Sequence, residues 1–404
     1  MAWGCSFDSR QADPGVPVAE RAVATGQFST QNGRLYDANG NEFILRGINH
    51  AHTWYVSQTP TAIPNIKNTG ANSVRVVLSN GYRWTKNTAA DVANVIELCK
   101  QNRLIAVLEV HDTTGYGEDG AACTLAQAAA YWIEIKSALD GQEAYVILNI
   151  GNEPYGNSNY AGWIPDTKAA IVALRNAGFT HTIMVDAPNW GQDWSFTMRD
   201  SAQEIFAADP LGNLIFSVHM YGVFDSDAEI NDYLTSFISR GFPIAIGEFG
   251  NMHSDGDPDE DAILARAETL GVGYMGWSWC GNSGGVEYLD IVIDWNPDNL
   301  SSWGERLING PNGIARTSNE CSVFGAATPS PDPSGDLPCS NPTPITIPFS
   351  RDGFGEYCWS FSGSVNYILS WSVSELSVNG VDFTNRYVSG ADLPPPLNGL
   401  YRSL

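Results

Sequence analysis

From Phe43 onward, short β-branched and apolar runs alternate with stretches whose apolar residues recur every three or four positions. The apolar runs at 43–49, 73–79, 104–111, 145–152, 182–187, 214–221, 244–249 and 274–279 predict eight strands. Between them, 89–101, 125–139, 163–177, 228–240 and 259–270 predict helices; in the first, Val92, Val95, Ile96 and Cys99 fall on one face. Strands alternating with helices imply βα units and a parallel sheet, and eight is the number that closes a (β/α)8 TIM barrel. Upstream, 35–43 predicts a β-hairpin turning at Asn39-Gly40, placed to plug the barrel floor, and 302–308 predicts a helix closing the barrel after strand eight. The stretch 328–338 is a Pro/Ser/Asp linker, too poor in apolar residues for a core. Alternation resumes around 367–373. The expected division is an N-terminal extension 1–24, a barrel 25–318, a linker 319–344 and a small β-rich module 345–404.

Length and charge refine this α/β picture. The 404 residues leave room for an appendage beside a barrel of ~250 or more. With 45 acidic against 21 basic side chains, the net charge of −24 repels nucleic acid and anionic membranes and suits an uncharged substrate. No run approaches the ~20 apolar residues of a membrane-spanning helix, so no membrane partner is expected. Positions 1–21 lack a basic start followed by an apolar core, which leaves a cytosolic protein or a secreted one whose leader has been removed. Of seven cysteines, Cys339 and Cys358 are the best disulfide candidates, in a tail too short for a large core. No Cys/His spacing suggests a metal, and no cofactor is expected.

Barrels of this kind place chemistry at the C-terminal ends of their strands. Those ends read Val74-Arg75-Val76 on strand two, Glu109-Val110-His111 on three, Asn152-Glu153 on four, His219-Met220-Tyr221 on six, Glu248 on seven and Trp277-Ser278-Trp279 on eight. Taken singly, Arg75 reads as a buried ion-pair partner, His111 or His219 as a hydrogen-bonded core histidine, Trp277 as a core aromatic and Glu153 as a solvated loop residue. Together they obey one rule. Glutamates at the mouths of strands four and seven can converge across the barrel axis, and retaining glycoside hydrolysis needs two carboxyl groups ~5–5.5 Å apart. An arginine and a tyrosine hydroxyl beside Glu248 would keep it ionised, whereas apolar and carboxylate neighbours would favour a protonated Glu153.

The set Arg75, His111, Asn152-Glu153-Pro154, His219-Met220-Tyr221, Gly247-Glu248-Phe249-Gly250 and Trp277 resembles glycoside hydrolase family 5. Within it, segments 46–52, 109–118, 186–194 and 303–306 resemble the bacterial-type endo-β-1,4-mannanases, over about 25–318. The resemblance implies that Glu248 is the nucleophile and Glu153 the acid and then the base. It implies that Asn152 binds the sugar 2-hydroxyl, axial in mannose, with His219 or His111 helping to select it. Arg75 and Tyr221 would hold Glu248, and Trp277 would floor the subsite of the sugar being cleaved. Trp54, Trp190, Trp194 and Trp279 are candidates for sugar stacking. The substrate implied is mannan, acted on by a secreted monomer; a β-1,4-glucanase on the same scaffold and a non-catalytic glycan-binding barrel are the alternatives.

Two other signals are set aside. The acids of 253–261 lack calcium-loop spacing and read as helix caps. The glycine-rich 281–285 lacks the phosphate-loop pattern and reads as a cleft loop. In the tail, Trp359, Trp371 and the run 378–384 read as either a carbohydrate-binding module or a small structural or truncated domain.

Overall fold

The computed structural model describes residues 26–325 and, beyond them, four two-residue strands. Two compact units divide at residue 331. In the second, Ser350–Arg351 pairs antiparallel with Tyr357–Cys358, and Ser377–Val378 with Val381–Asp382. The extension 1–24, the linker 328–338, the Cys339–Cys358 pairing and the tail tryptophans lie outside the described residues.

In the first unit, β1 (Ser29–Gln31) and β2 (Arg34–Tyr36) form a hairpin. Eight parallel strands follow: β3 (Arg46–His50), β4 (Ser73–Leu78), β5 (Ile105–Val110), β6 (Val146–Asn149), β7 (Ile183–Asp186), β8 (Leu214–Met220), β9 (Ile244–Phe249) and β10 (Gly273–Gly276). They close on themselves, β10 pairing with both β9 and β3. The helices between successive strands are α1 (Thr59–Asn68), α2 (Ala89–Gln101), α3 (Leu125–Glu134), α4 (Trp163–Asn176), α5 (Thr197–Ala207), α6 (Asp227–Ile238) and α7 (Glu260–Leu270), with α8 (Ser302–Asn309) after β10. The eight expected strands are all present, and α2 has its expected limits. Thr88 caps it through Asp91 N, and Val92, Val95, Ile96 and Cys99 are buried.

The floor hairpin differs from expectation. Its two-residue turn is Asn32-Gly33, both at positive φ as such turns require. The predicted turn near Asn39-Gly40 also forms, with Asp37 Oδ1 accepting from the amides of Asn39 and Asn41, but it closes a single bridge between Tyr36 and Glu42. Phe28, Leu35 and Phe43 nonetheless seal the floor against Ile105, Ile147 and Met275 inside the barrel. The unit also runs past the expected end at 318. Glu320 pairs with Lys67 and Arg103, and Ser322 hydrogen-bonds Asp37.

Three buried tryptophans from the outer layer fix the strand mouths. Trp132, Trp163 and Trp303 donate their indole N–H to the carbonyls of Ile150, Asp186 and Trp277 at 2.8–2.9 Å. These are the ends of β6, β7 and β10, where strand hydrogen bonding stops and an unpaired buried carbonyl would be costly. A register shift between Val218 and His219 sets His219 opposite Glu248 on β9.

Phe43→Ala should remove a sealing ring that lies 5.6 Å from Phe28. We expect a loss of about 3–5 kcal/mol in denaturant unfolding with turnover at 25 °C retained; a loss under about 1 kcal/mol would argue that the floor is not packed as described.

Candidate active site

Arg75 on β4 lies at the centre of the mouth with no exposed surface, and each of its five N–H groups has an acceptor. Nε donates to Asn149 Oδ1 at 3.1 Å. Nη1 donates to Asn49 Oδ1 at 3.0 Å and Glu248 Oε1 at 2.7 Å, and Nη2 to Asn152 Oδ1 at 2.7 Å and Asp186 Oδ2 at 3.0 Å. Burial works against its charge, but the carboxylates of Glu109, Asp186 and Glu248 outweigh it and raise the pKa.

Glu248 accepts from Arg75 on one oxygen and from the Tyr221 hydroxyl, at 3.0 Å, on the other. Burial raises its pKa above the ordinary value; His219 and Arg75 oppose the rise and Glu153 adds to it. The Tyr221 hydroxyl is pushed well up, first by burial and then by Glu248, so it stays a donor. Glu153 sits just past β6 at φ +40°, a conformation held by its amide, 3.3 Å from Asp186 Oδ2, and its carbonyl, which accepts from Gly115 N. Its Oε1 lies 2.8 Å from His219 Nδ1, leaving Oε2 for a ligand.

His219 binds the two glutamates together. Its Nδ1 is 3.6 Å from Glu248, and Nε2 is 3.3 Å from Asp186 Oδ2. Burial lowers its pKa, but Glu248 and Asp186 raise it further, to about 10, and the ring is a cation at neutral pH. Asp186 in turn is driven to about 2: burial resists, and His219 and Arg75 prevail. Donor atoms of Glu153, His219 and Glu248 lie within 4.8 Å of one another, which is metal-ligand spacing. The hydrogen bonds from Arg75 and Tyr221 to Glu248 and between His219 and Glu153 make the same atoms an acid–base cluster.

The cleft is aromatic. His111 donates from Nδ1 to buried Glu109 at 2.9 Å; burial opposes its charge, and Glu109 raises its pKa. Its ring stacks on Trp277 at 5.7 Å and 24°, and Trp54 and Trp84 pack against it at 5.1 and 5.6 Å. Trp190 lies over Gly115, where a Cβ would fall 2.3 Å from the indole. Trp194 is 45% exposed, with its N–H on Asn157 Oδ1.

The structure therefore gathers Glu153, Glu248, Arg75, His111, Asn152, His219, Tyr221 and Trp277 at one mouth, with Trp54, Trp190 and Trp194 in the adjoining loops. Trp279 is corrected. It is 1% exposed and faces the core, because β10 ends at Gly276 and the chain turns before Trp279. Arg75 and His219 have no surface left for a sugar, so they act through the glutamates. Sequence reasoning gave no role to Asp186, Glu109, Asn49, Asn149 or Trp84. Asp186 and Glu109 sit at strand ends, where the same positional rule points to them. Asp259 caps α7 through Ala262 N, as read from the sequence.

Two outcomes follow. Asp186→Asn, which removes the anion beneath His219 and Arg75, should lower kcat/KM about 10²-fold by misplacing both glutamates; wild-type kinetics would rule out that role. The proton affinity of His219 rises from 6.5 to about 10 on folding, so its contribution to stability is complete below pH 6.5 and is lost as pH rises through about 10. Denaturant unfolding should show that loss in the wild type and a shallower one in His219→Gln; equal slopes would contradict a charged His219.

Known proteins match this arrangement. The sequence model described as cellulase (glycosyl hydrolase family 5) matches residues 36–283, and that for carbohydrate-binding module 64 matches residues 342–403. A mannan endo-1,4-beta-mannosidase of Streptomyces lividans is 56% identical over 330 residues, covering 80% of this chain and 86% of that protein. A beta-mannanase/endoglucanase A of Caldicellulosiruptor saccharolyticus is 62% identical over 262 residues, 65% of this chain and 20% of its own. The mannotriose complex of Thermomonospora fusca beta-mannanase superposes with a TM-score of 0.72 at 60% identity, covering 75% of this chain and all of that one. With its eight-stranded barrel and paired mouth glutamates, the chain belongs to glycosyl hydrolase family 5.

Proposed function

We propose that this enzyme hydrolyses β-1,4-mannosidic bonds within mannan, galactomannan or glucomannan with retention of configuration. The observation that carries the reading is the carboxylate pair. Oxygens of Glu153 and Glu248 lie no more than 4.8 Å apart, close to the ~5–5.5 Å of retaining enzymes and short of the ~6.5–9.5 Å that leaves room for an attacking water. Mannan as substrate rests on the mannanase activities named for its relatives.

In the first step the Glu248 carboxylate attacks the anomeric carbon, the glycosidic C–O bond breaks and Glu153 gives its proton to the departing oxygen. In the second, Glu153 takes a proton from water, the water oxygen replaces Glu248 at the anomeric carbon and the glutamate leaves as carboxylate. Arg75 and Tyr221 aim the two Glu248 oxygens, and His219 holds Glu153 at the edge of the cleft. Asn152 has one N–H on Thr114 Oγ1 and a second for the sugar 2-hydroxyl. His111, stacked on Trp277, faces the axial hydroxyl that distinguishes mannose from glucose. Trp54, Trp190 and Trp194 offer faces for flanking rings. Segment 342–403 would hold the polysaccharide near a monomeric enzyme working outside the cell.

Glu248→Ala is expected to lower turnover about 10⁴-fold or more while mannan binding stays measurable; near-normal turnover would refute the mechanism. Proton NMR of early products should show the β-anomer first, and an initial α-anomer would exclude retention. Galactomannan should be cleaved faster than carboxymethyl cellulose, and the reverse order would move the substrate to β-glucan.

A further inference from the structure

A groove of about 670 Å³ runs along the outside of the barrel between the start of α4 and the length of α5. It has no part in the chemistry above. It is lined by the apolar or aromatic Tyr160, Ile164 and Phe196 and by the polar Asp200, Gln203 and Glu204. Phe196 stands at φ +57° with its ring 41% exposed and the Arg199 guanidinium 3.6 Å away on that ring. Left-handed backbone is unfavourable for a non-glycine residue, yet it holds Phe196 part-exposed here, with the guanidinium covering one face of the ring. Tyr160 meets Trp194 edge-on at 5.7 Å, and Trp194 is bonded to Asn157 in the loop after β6. Aromatic surface thus continues from the cleft, over the rim at Trp194, into the groove.

We infer that this groove is a second glycan-binding site, which takes the part of a long β-linked chain that overhangs the catalytic cleft. Its aromatic residues suit the C–H face of a pyranose; Asp200, paired with Arg199, and Glu204, paired with Lys168, keep further lone pairs that, with the Gln203 carboxamide, accept hydrogen bonds from hydroxyls. The net charge of −24 disfavours acidic glycans, phosphates and nucleic acid. The volume lies within the ~300–1,000 Å³ of small-ligand sites. Continuity with the cleft selects the substrate itself over an unrelated ligand, so the inference rests on the mannan reading.

The test uses two full-length variants. Phe196→Ala removes the displayed ring, and Ala161→Arg fills the groove while leaving every aromatic in place. Both should raise KM on polymeric mannan about three- to tenfold, the loss of one stacking contact, with kcat/KM on mannotetraose within about twofold of wild type. Ala161→Arg should keep the wild-type Tm, so that its effect cannot come from unfolding. Unchanged polymer KM in both variants, or an equal loss on mannotetraose, would overturn the inference. So would altered sedimentation with unaltered polymer KM, which would assign the groove to a second copy of the chain. Failure of the wild type to cleave mannan would refute the mannan reading alone, and the polymer-to-oligomer comparison would then be made with the β-glucan it does cleave.

Discussion

The arrangement at the barrel mouth depends on a single buried cation. Arg75 is withdrawn from water, and a buried guanidinium is tolerated only where all of its N–H groups and its charge are met. Its acceptors come from β3, β6, β7, β9 and the turn after β6. Five segments are thereby forced into one register at their C-terminal ends. A lysine would supply a point charge with three donors and leave part of that ring of acceptors unmet. Glu248 takes its place as one member of this set, which is why its position is fixed before any substrate arrives.

The same charge makes the glutamate pair possible. Two carboxylates with oxygens within 4.8 Å of each other would, if both ionised, repel by about 3–4 kcal/mol at an effective dielectric of 20. Arg75 beneath one and His219 between both supply the opposing charge, and Asp186 beneath the two cations keeps His219 protonated. The site is therefore a layered cluster: the anions Asp186 and Glu109, then Arg75, His219 and His111, then the catalytic carboxylates. Removing any layer leaves the next one buried and unpaired, and the cost then falls on geometry as much as on charge.

Much of this was legible in the sequence, for identifiable reasons. Eight strands could be counted because their apolar runs are bounded by polar turns, and the reactive residues were found by asking what stands at each strand end. Helix α2 was marked by the four-residue apolar stripe Val92, Val95, Ile96 and Cys99. Helix α1 left no such trace, since Pro60 and Pro64 argue against a helix; Pro60 is harmless in its first turn, but Pro64 sits inside. Helix α5 buries only Met198, Ala202 and Ile205. Trp279 was misjudged because two residues on from Trp277 means the same face only while a strand continues. Asp186 and Glu109 were given no role because their partners are other buried charges, which periodicity does not reveal.

The two ends of the barrel divide the physical work. At the floor, Phe28, Leu35 and Phe43 cover the barrel interior with side chains that carry no charge. At the mouth, Glu153, Tyr155, Asn189, Trp190, Asp193 and Phe196 all hold positive φ. Such backbone costs of order 1–3 kcal/mol per residue and persists only when its surroundings over-determine it. Asp193 shows how: its buried carboxylate accepts from the amides of Met198 and Arg199 and the hydroxyl of Tyr233, tying the loop that carries Trp190 and Trp194 to α5 and α6. Burial pushes that carboxyl to about 6 against those donors, so as pH falls through 6 the folded loop takes up a proton more readily than the unfolded chain, and acid does not cost it stability at this position. Glu248 must also be ionised to attack, and it too is raised by burial. Acid therefore disarms the nucleophile, while the sugar-binding loop, whose buried carboxyl favours its proton, stays tied to its helices.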